Sequence, residues 1–241
     1  MRRRRPWWSD RAAPVAEHAR STLVSSELLG EPRWLPTAAV LTAAALYATL
    51  PPRFIAGSSA FGVVRWIVPA LTLALLAPLA LSAPKRRIVH SVERRAAAIV
   101  LIAIISAANA AAIVLIVHLL VTGAKTHARE LLRAAIHIWC MNVIVFGLWF
   151  WQLDGGGPMR RSAGGTEPDF LFPQMTLPEL APRWRPMFLD YLYVSFTNAT
   201  AFSPTDTMPL SGWAKVLMMI QSAASLLLAV MVAARAVNIL G

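Results

Sequence analysis

The sequence predicts an all-α membrane protein with five transmembrane helices and a re-entrant pore helix and loop before the last span. Composition is the first indication, because hydrophobic residues make up 57% of the 241 positions and charged residues only 15%, whereas soluble domains carry about 25% charged residues. The second is that the apolar residues fall into runs that approach the thickness of a bilayer. The third is that charged residues, proline or tryptophan bound each run, as is typical of membrane borders.

The charge balance indicates a membrane partner. Lys and Arg number 23 against 12 Asp and Glu, a net charge of +11. Because these charges lie between apolar runs, they favour cytoplasmic loops and anionic lipid over nucleic acid. We therefore expect the lipid bilayer as a partner, no nucleic acid, and a place in the bacterial cytoplasmic membrane. The single cysteine, Cys140, excludes an internal disulfide and a cysteine-rich metal site.

Residues 1–33 form a basic tail that precedes the first apolar run. The arginines at positions 2–5 have no apolar core close behind them, so the segment does not fit a secretory signal. We expect a cytoplasmic tail that is disordered or lies on the membrane surface. A short amphipathic helix over 14–29 is the alternative.

The next domain, 34–125, holds three predicted spans, at 35–50, 62–81 and 96–121. At about 24 Å the first is short for a hydrocarbon core of about 30 Å, and the third, about 39 Å, must tilt or emerge. The dense positive charge of 85–95 predicts a cytoplasmic loop between the second and third spans. Asn109 is expected to hydrogen-bond a neighbouring helix.

The last domain, 126–241, opens with a fourth span at 131–151. His137 and Cys140 share a helical face in it, but the sequence supplies no third or fourth ligand, so we expect packing and neither metal nor cofactor. Asp154 and three glycines then break the helix, and 169–173 is apolar enough to pack on the mouth of this domain or enter the interface. A helix over 187–199, about 20 Å long, is too short to cross, and Asp190 in its first turn suits the helix dipole.

A spaced polar pattern runs from this short helix into the final span, 213–240. Its residues are Tyr193, Ser195, Thr197, Thr200 and Asp206, continued by Pro209, Trp213 and Lys215. In register and without a gap they resemble the pore loop of tetrameric potassium channels, which reads aromatic-x-Ser-x-Thr-Thr-x-Thr-Thr-Val-Gly-Tyr-Gly-Asp. The resemblance implies a homotetramer in which a pore helix, a filter and an inner helix surround an axis. Over its full length the chain also resembles an uncharacterised group of five-span bacterial membrane proteins with a pore-like segment.

The filter-like turn, predicted over 200–210, departs from that family. The chain has Ala201, Phe202, Ser203, Pro204 and Thr205 where the family has Thr-Val-Gly-Tyr-Gly. Both glycines that make the ring of backbone carbonyls accessible are replaced, and a proline fixes its own φ. We therefore expect no potassium selectivity. If ions pass, oxygens of Thr200, Ser203, Thr205 and Asp206 would give a weak preference for monovalent cations; alternatively Asp206 only caps the loop.

The last span carries a polar face. The predicted layout also leaves open from which side of the membrane the pore loop enters. Gln221, Ser222 and Ser225 lie on that face, which we expect to line a pore or to join subunits. The basic tail and the 85–95 loop both place the N-terminus inside. With five spans, the pore loop then enters from the cytoplasm, whereas potassium channels place the filter outside.

Three functions are compatible with these features. The first is a channel-like protein without potassium selectivity, and the second is a non-conducting scaffold or accessory subunit that retains the pore fold. The third is a small transporter or membrane enzyme. We expect no enzyme, because the sequence has no HExxH motif, no nucleophile elbow and no phosphate-cradling loop.

Overall fold

Eight α-helices and one two-stranded sheet make up the described part of this computed structural model. The structure describes residues 34–55, 64–81, 91–123, 127–163, 166–177, 179, 182, 184–201 and 206–240. The helices are α1 (Trp34–Ala48), α2 (Val64–Leu81), α3 (Ser91–Val121), α4 (Ala128–Leu153), α5 (Pro158–Ala163), α6 (Pro173–Thr176), α7 (Phe188–Ala201) and α8 (Gly212–Leu240). The strands are β1 (Phe170–Leu171) and β2 (Met208–Pro209), and 3-10 turns occupy Pro52–Phe54 and Asp154–Gly156. The predicted basic tail, 1–33, lies outside the described residues.

Within the described residues, three helices have the length and apolar composition to cross a membrane. They are α3 over Glu93–Val121, α4 over Arg129–Gly156 and α8 over Gly212–Ala234. Shorter apolar helices occupy Trp34–Ala48 and Arg65–Leu76. An apolar helix is thus present at each of the five predicted positions, and three of the five have the length of a membrane span.

Among the helix boundaries that differ from the predicted ones, two change the assignment of named residues. Helix α3 begins at Ser91, so Arg94 and Arg95 lie in its first turns and not in the preceding loop. Arginine is a good helix former, and no proline or glycine separates these residues from the apolar run. Helix α7 extends to Ala201, so the first two residues assigned to the filter-like turn are helical. The Thr200 hydroxyl there donates a 2.5 Å hydrogen bond to the Phe196 carbonyl.

Helix α4 is the centre of the bundle and contacts α1, α3, α7 and α8. Its buried apolar side chains recur every three or four residues, which is the spacing of a continuous helical face. The six that form this face are Leu131, Ala134, Ile138, Met141, Val145 and Leu148, and Ala135, Val143 and Phe150 of the same helix are also buried. Gly147 lets α7 approach closely, since a Cβ at this position would lie 3.2 Å from the Cα of Leu192.

Contacts between helix ends define two opposite ends of the bundle. At one end the start of α3 meets the end of α4, where Arg95 Nε lies 3.6 Å from the position of a Cβ on Gly157. We call it the Asp154 end. At the other, the Glu130 end, Arg53 forms a 2.8 Å ion pair with Glu130 at the start of α4. Arg65 of α2 also donates hydrogen bonds there to two carbonyls at the end of α1, at 2.6 and 3.1 Å.

Helices α7 and α8 both begin at the Asp154 end. Phe188 packs edge-on against Trp151 near the end of α4, with ring centres 5.9 Å apart. Strand β2, directly before α8, pairs antiparallel with β1, and Phe170 lies opposite Pro209. Helices α7 and α8 therefore start from the same end of the bundle.

Candidate functional site

A set of buried polar side chains joins α7 to α4 and α8. We call it the polar seam; its members are Asn142 of α4, Ser195 and Asn198 of α7, and Gln221, Ser222 and Ser225 of α8. All except the half-buried Ser222 are at most 1% exposed. Polar groups so fully removed from solvent are costly unless they bond to one another.

Gln221 is the central member of the polar seam. Its Nε2 donates to both Oγ and the carbonyl oxygen of Ser195, at 2.7 and 2.8 Å. Its Oε1 accepts a 2.8 Å hydrogen bond from Nδ2 of Asn198. The Ser195 hydroxyl in turn donates to the Val143 carbonyl at 2.6 Å. One amide therefore fixes α7 to α8, and Ser195 carries the connection to α4.

The outer members of the polar seam extend these links. Asn142 donates to the Ser225 hydroxyl at 3.0 Å, which joins α4 directly to α8. Asn198 also donates to the Met218 carbonyl at 3.0 Å, and the Ser222 hydroxyl donates to Asn198 Oδ1 at 3.0 Å. Three helices are thus held by hydrogen bonds whose donors and acceptors are all within one chain.

The predicted polar face of the last span is used inside the chain. Gln221, Ser222 and Ser225 were expected at a pore or a subunit contact, but each bonds to α7 or α4 of the same chain. Sequence reasoning gave no role to Asn142 or Asn198. Asn198 lies three residues after Ser195, so both side chains lie on one helical face. This shared face is the feature of the sequence that could have identified Asn198.

The predicted pore-helix residues separate onto different faces of α7. Ser195 joins the polar seam, whereas Tyr193 is 54% exposed. The Thr197 hydroxyl donates back to the Tyr193 and Val194 carbonyls, each at 3.0 Å. Four residues at helical spacing therefore form an exposed outer face: Leu189, Tyr193, Phe196 and Thr200.

Asp190 lies in the first turn of α7, where the sequence predicted a carboxylate suited to the helix dipole, and it also caps the helix. Its Oδ2 accepts a 2.7 Å hydrogen bond from the Met187 amide, which would otherwise have no helical partner. Burial raises the pKa of the Asp190 carboxyl, and the hydrogen bond from the Met187 amide opposes that rise.

A second cluster lies at the Asp154 end, where α4, β1, α7 and α8 meet. Asp154 is fully buried. Its Oδ1 accepts hydrogen bonds from the amides of Asp169 at 2.6 Å and Phe170 at 3.3 Å, and its Oδ2 accepts the Tyr191 hydroxyl. The Asp154 side chain, directly after α4, is thus hydrogen-bonded both to the start of β1 and to α7.

Asp169 connects the same cluster to the start of α8. Its carboxylate accepts hydrogen bonds from the Gly155 amide and from the Trp213 indole, both at 2.9 Å, and its carbonyl accepts the Leu210 amide at 2.8 Å. The Phe170 ring packs edge-on against those of Tyr191 and Trp213. Segment 169–173 therefore packs on this end of the bundle, which is one of the two positions predicted for it.

The filter-like turn is described only at its edges. Phe202, Ser203, Pro204 and Thr205 lie outside the described residues, while Ala201 and Asp206 are exposed. In the described part of the chain, no three His, Cys, Asp or Glu side chains converge as metal ligands. Neither a scan against protein-family models nor searches of curated proteins and of solved structures found a match to this chain.

Proposed function

We propose that this protein is one subunit of a homo-oligomeric membrane pore that has a channel-like architecture, lacks potassium selectivity and weakly prefers monovalent cations. The observation that carries the proposal is the position of α7. It begins at the same end of the bundle as α8, and its inner half is bonded to α4 and α8 through the polar seam. Its 14 residues make it about 21 Å long.

A helix of about 21 Å does not cross a hydrocarbon core of about 30 Å. In a bilayer, α7 enters from the Asp154 end and the chain leaves at the same end through β2. The carbonyls in the last turn of α7 have no helical partners. Irregular backbone at membrane depth is tolerated where it is buried in protein or lines a water-filled cavity. A pore at the inner end of α7 would supply that water.

One copy of α7 cannot enclose an axial path, so the proposed pore requires several chains. The resemblance to potassium channels implies four. The exposed apolar faces of α7 and α8 offer surfaces for neighbouring copies or for lipid, with Tyr193, Phe196, Met219 and Val230 each at least 47% exposed. Five membrane crossings follow if α1 and α2 also span, at the cost of local thinning of the bilayer.

The distribution of charge favours a cytoplasmic position for the Asp154 end. Lys85, Arg86 and Arg87 lie between α2 and α3 in the sequence, and α3 begins at this end of the bundle. By the positive-inside rule such a short connection stays in the cytoplasm. The proposed pore loop then enters from the cytoplasmic side, opposite to the orientation of potassium channels.

Ion flux through the purified protein in liposomes tests the proposal. We expect dissipation of both potassium and sodium gradients, with similar rates for the two ions, compared with protein-free liposomes. The matched variant is Asp206→Lys, which places a positive charge at the exposed edge of the filter-like turn and should slow cation flux. Absence of flux from protein that is oligomeric by native mass spectrometry would contradict the pore.

A non-conducting scaffold is the second candidate, and the polar seam favours it. Gln221, Ser222 and Ser225 of α8 are satisfied within the chain, and the exposed large side chains of α8 from Val216 to Val230 are apolar. On this proposal, the pore fold serves packing and assembly alone. The expected result is a stable oligomer that holds ion gradients as well as protein-free liposomes do.

A further inference from the structure

Three consecutive glycines after α4 each pack against an arginine side chain. Their φ angles are 54°, 79° and 101°, a region that residues with a Cβ rarely adopt. The pairs are Gly155 with Arg161, Gly156 with Arg160, and Gly157 with Arg95. A Cβ on the first two glycines would lie 2.9 Å from Arg161 Cγ and 2.8 Å from Arg160 Cδ. The glycines therefore allow three arginine side chains to pack against one turn; we call these arginines the arginine triad.

Two members of the arginine triad carry buried nitrogen atoms without a hydrogen-bond acceptor among the described residues. These atoms are Nε of Arg95 and Nη2 of Arg161. The other terminal nitrogen of Arg161 is used, since Nη1 donates to the carbonyls of Trp151 at 2.8 Å and Asp154 at 2.6 Å. A buried donor on a charged group is costly when it is left without an acceptor. The triad thus lacks acceptor oxygens that a ligand could supply.

The nearby carboxylates leave this positive charge incompletely balanced. Asp154 accepts two backbone amides and the Tyr191 hydroxyl, and its Oδ2 lies 4.0 Å from Arg161. Asp169 accepts the Gly155 amide and the Trp213 indole. The buried Asp154 and the half-buried Asp169 therefore share their oxygens with neutral donors, Asp154 also pairs with Arg161, and these two carboxylates face three arginines.

We propose that the arginine triad binds a phosphate group, either on the headgroup of an anionic phospholipid or as free inorganic phosphate. Guanidinium groups present paired N–H donors that match phosphate oxygens. The triad lies where two helices of membrane-spanning length, α3 and α4, meet at one end of the bundle. Basic pockets between such helices at the membrane surface suit phospholipid headgroups. Arg160 is exposed and is the member that a ligand reaches first.

Thermal unfolding of the full-length protein in detergent tests this proposal, followed by the fluorescence of its 9 tryptophans. The titrants are phosphatidylglycerol, phosphatidylcholine and sodium phosphate at constant ionic strength. The variants are Arg160→Gln and Arg95→Gln. The control is Arg133→Gln, which removes the same charge from an exposed residue of α4 near the Glu130 end.

We expect phosphatidylglycerol to raise the Tm of the wild type and of Arg133→Gln more than phosphatidylcholine does. The apparent affinity of Arg160→Gln for phosphatidylglycerol should be about tenfold lower than that of the wild type, because one charge-assisted contact is lost. If sodium phosphate stabilises the wild type equally well and Arg160→Gln loses that response, the ligand is free phosphate.

The proposal is wrong if the three titrants act alike on the wild type, or if Arg160→Gln responds as the wild type does. Should Arg95→Gln fail to fold, the exposed Arg160→Gln and the wild-type comparison still decide the outcome. The readout is independent of ion flux, so failure of the pore proposal and failure of this one are distinguishable.

Discussion

Asn198 on α7 and Gln221 on α8 share a 2.8 Å hydrogen bond between their side-chain amides, and neither residue is more than 1% exposed. Each amide has a further partner, Met218 for Asn198 and Ser195 for Gln221. Turning either helix about its axis would leave a buried amide without a partner, which is costly in an apolar surrounding. The position of α7 therefore depends on side chains of the polar seam.

Replacing Gln221 should loosen α7. Gln221→Leu keeps approximate volume but removes three hydrogen bonds to Ser195 and Asn198, and we expect a loss of about 1–3 kcal/mol in the free energy of unfolding. Denaturant titration in micelles, followed by tryptophan fluorescence, measures it. Met219→Leu, two residues earlier and 69% exposed, is the control and should change stability by less than about 0.5 kcal/mol. Equal stability of the two variants would show that the polar seam does not hold α7.

Two tyrosines of α7 offer a matched test of the cluster at the Asp154 end. Tyr191 is buried and donates its hydroxyl to Asp154, whereas Tyr193 is 54% exposed. Tyr191→Phe should cost about 1.5–3 kcal/mol, the usual contribution of a hydrogen bond to a charged group. Tyr193→Phe should be neutral within about 0.5 kcal/mol. The difference between the two midpoints in the same denaturant titration is the measurement, and no difference would mean that Asp154 does not depend on Tyr191.

Much of the helical layout could be predicted, because apolar runs and their charged or proline borders are local features. All five predicted spans coincide with helices, and the short helix was placed to within two residues, over Phe188–Ala201 instead of 187–199. The predicted and observed helices differ at the helix ends. Arg94 and Arg95 were assigned to a loop on charge alone, although arginine is compatible with the first turns of a helix that is entering the interface.

The polar seam and the cluster at the Asp154 end could not be predicted, because their contacts join residues far apart in the chain. Asn142 and Ser225 are separated by 83 positions, and Asp154 and Tyr191 by 37. Helical periodicity states which residues share a face, but not which neighbour that face meets. The polar face of α8 was recognised for this reason, while its partner was misjudged as a pore or another subunit.

Close packing of α4 against α7 should make Gly147 sensitive to substitution. A Cβ there would lie 3.2 Å from both Cα and Cδ1 of Leu192, so Gly147→Ala should cost about 1–3 kcal/mol through overpacking. Gly212 is the matched control, since a Cβ there meets no atom within 4 Å. Gly212→Ala in the first turn of α8 should leave stability unchanged or raise it by up to about 1 kcal/mol. If both variants behave alike, α4 and α7 are not in the close contact described.

Cysteine labelling can show whether α7 enters and returns on one side of the membrane. With Cys140 replaced by serine, single cysteines are placed at three exposed positions: Met187, Leu210 and Val121. The first two lie at the Asp154 end, and the third lies at the end of α3. We expect an impermeant reagent to label positions 187 and 210 from one side of oriented vesicles and position 121 from the other. Labelling of 187 and 210 from opposite sides would rule out the re-entrant arrangement.

We expect the filter-like turn to give no potassium selectivity. Selectivity of the potassium-channel type needs successive carbonyls directed at one axis, and glycines make that backbone accessible. Here Ser203 and Thr205 stand in their place, and a Cβ penalises positive φ by about 1–2 kcal/mol. In planar bilayers with potassium on one side and sodium on the other, we expect a reversal potential near zero. Asp206 is exposed, and Asp206→Asn should reduce the preference for cations over chloride, while Asp190→Asn in the first turn of α7 should not. A reversal potential that strongly favours potassium would contradict this interpretation of the filter-like turn.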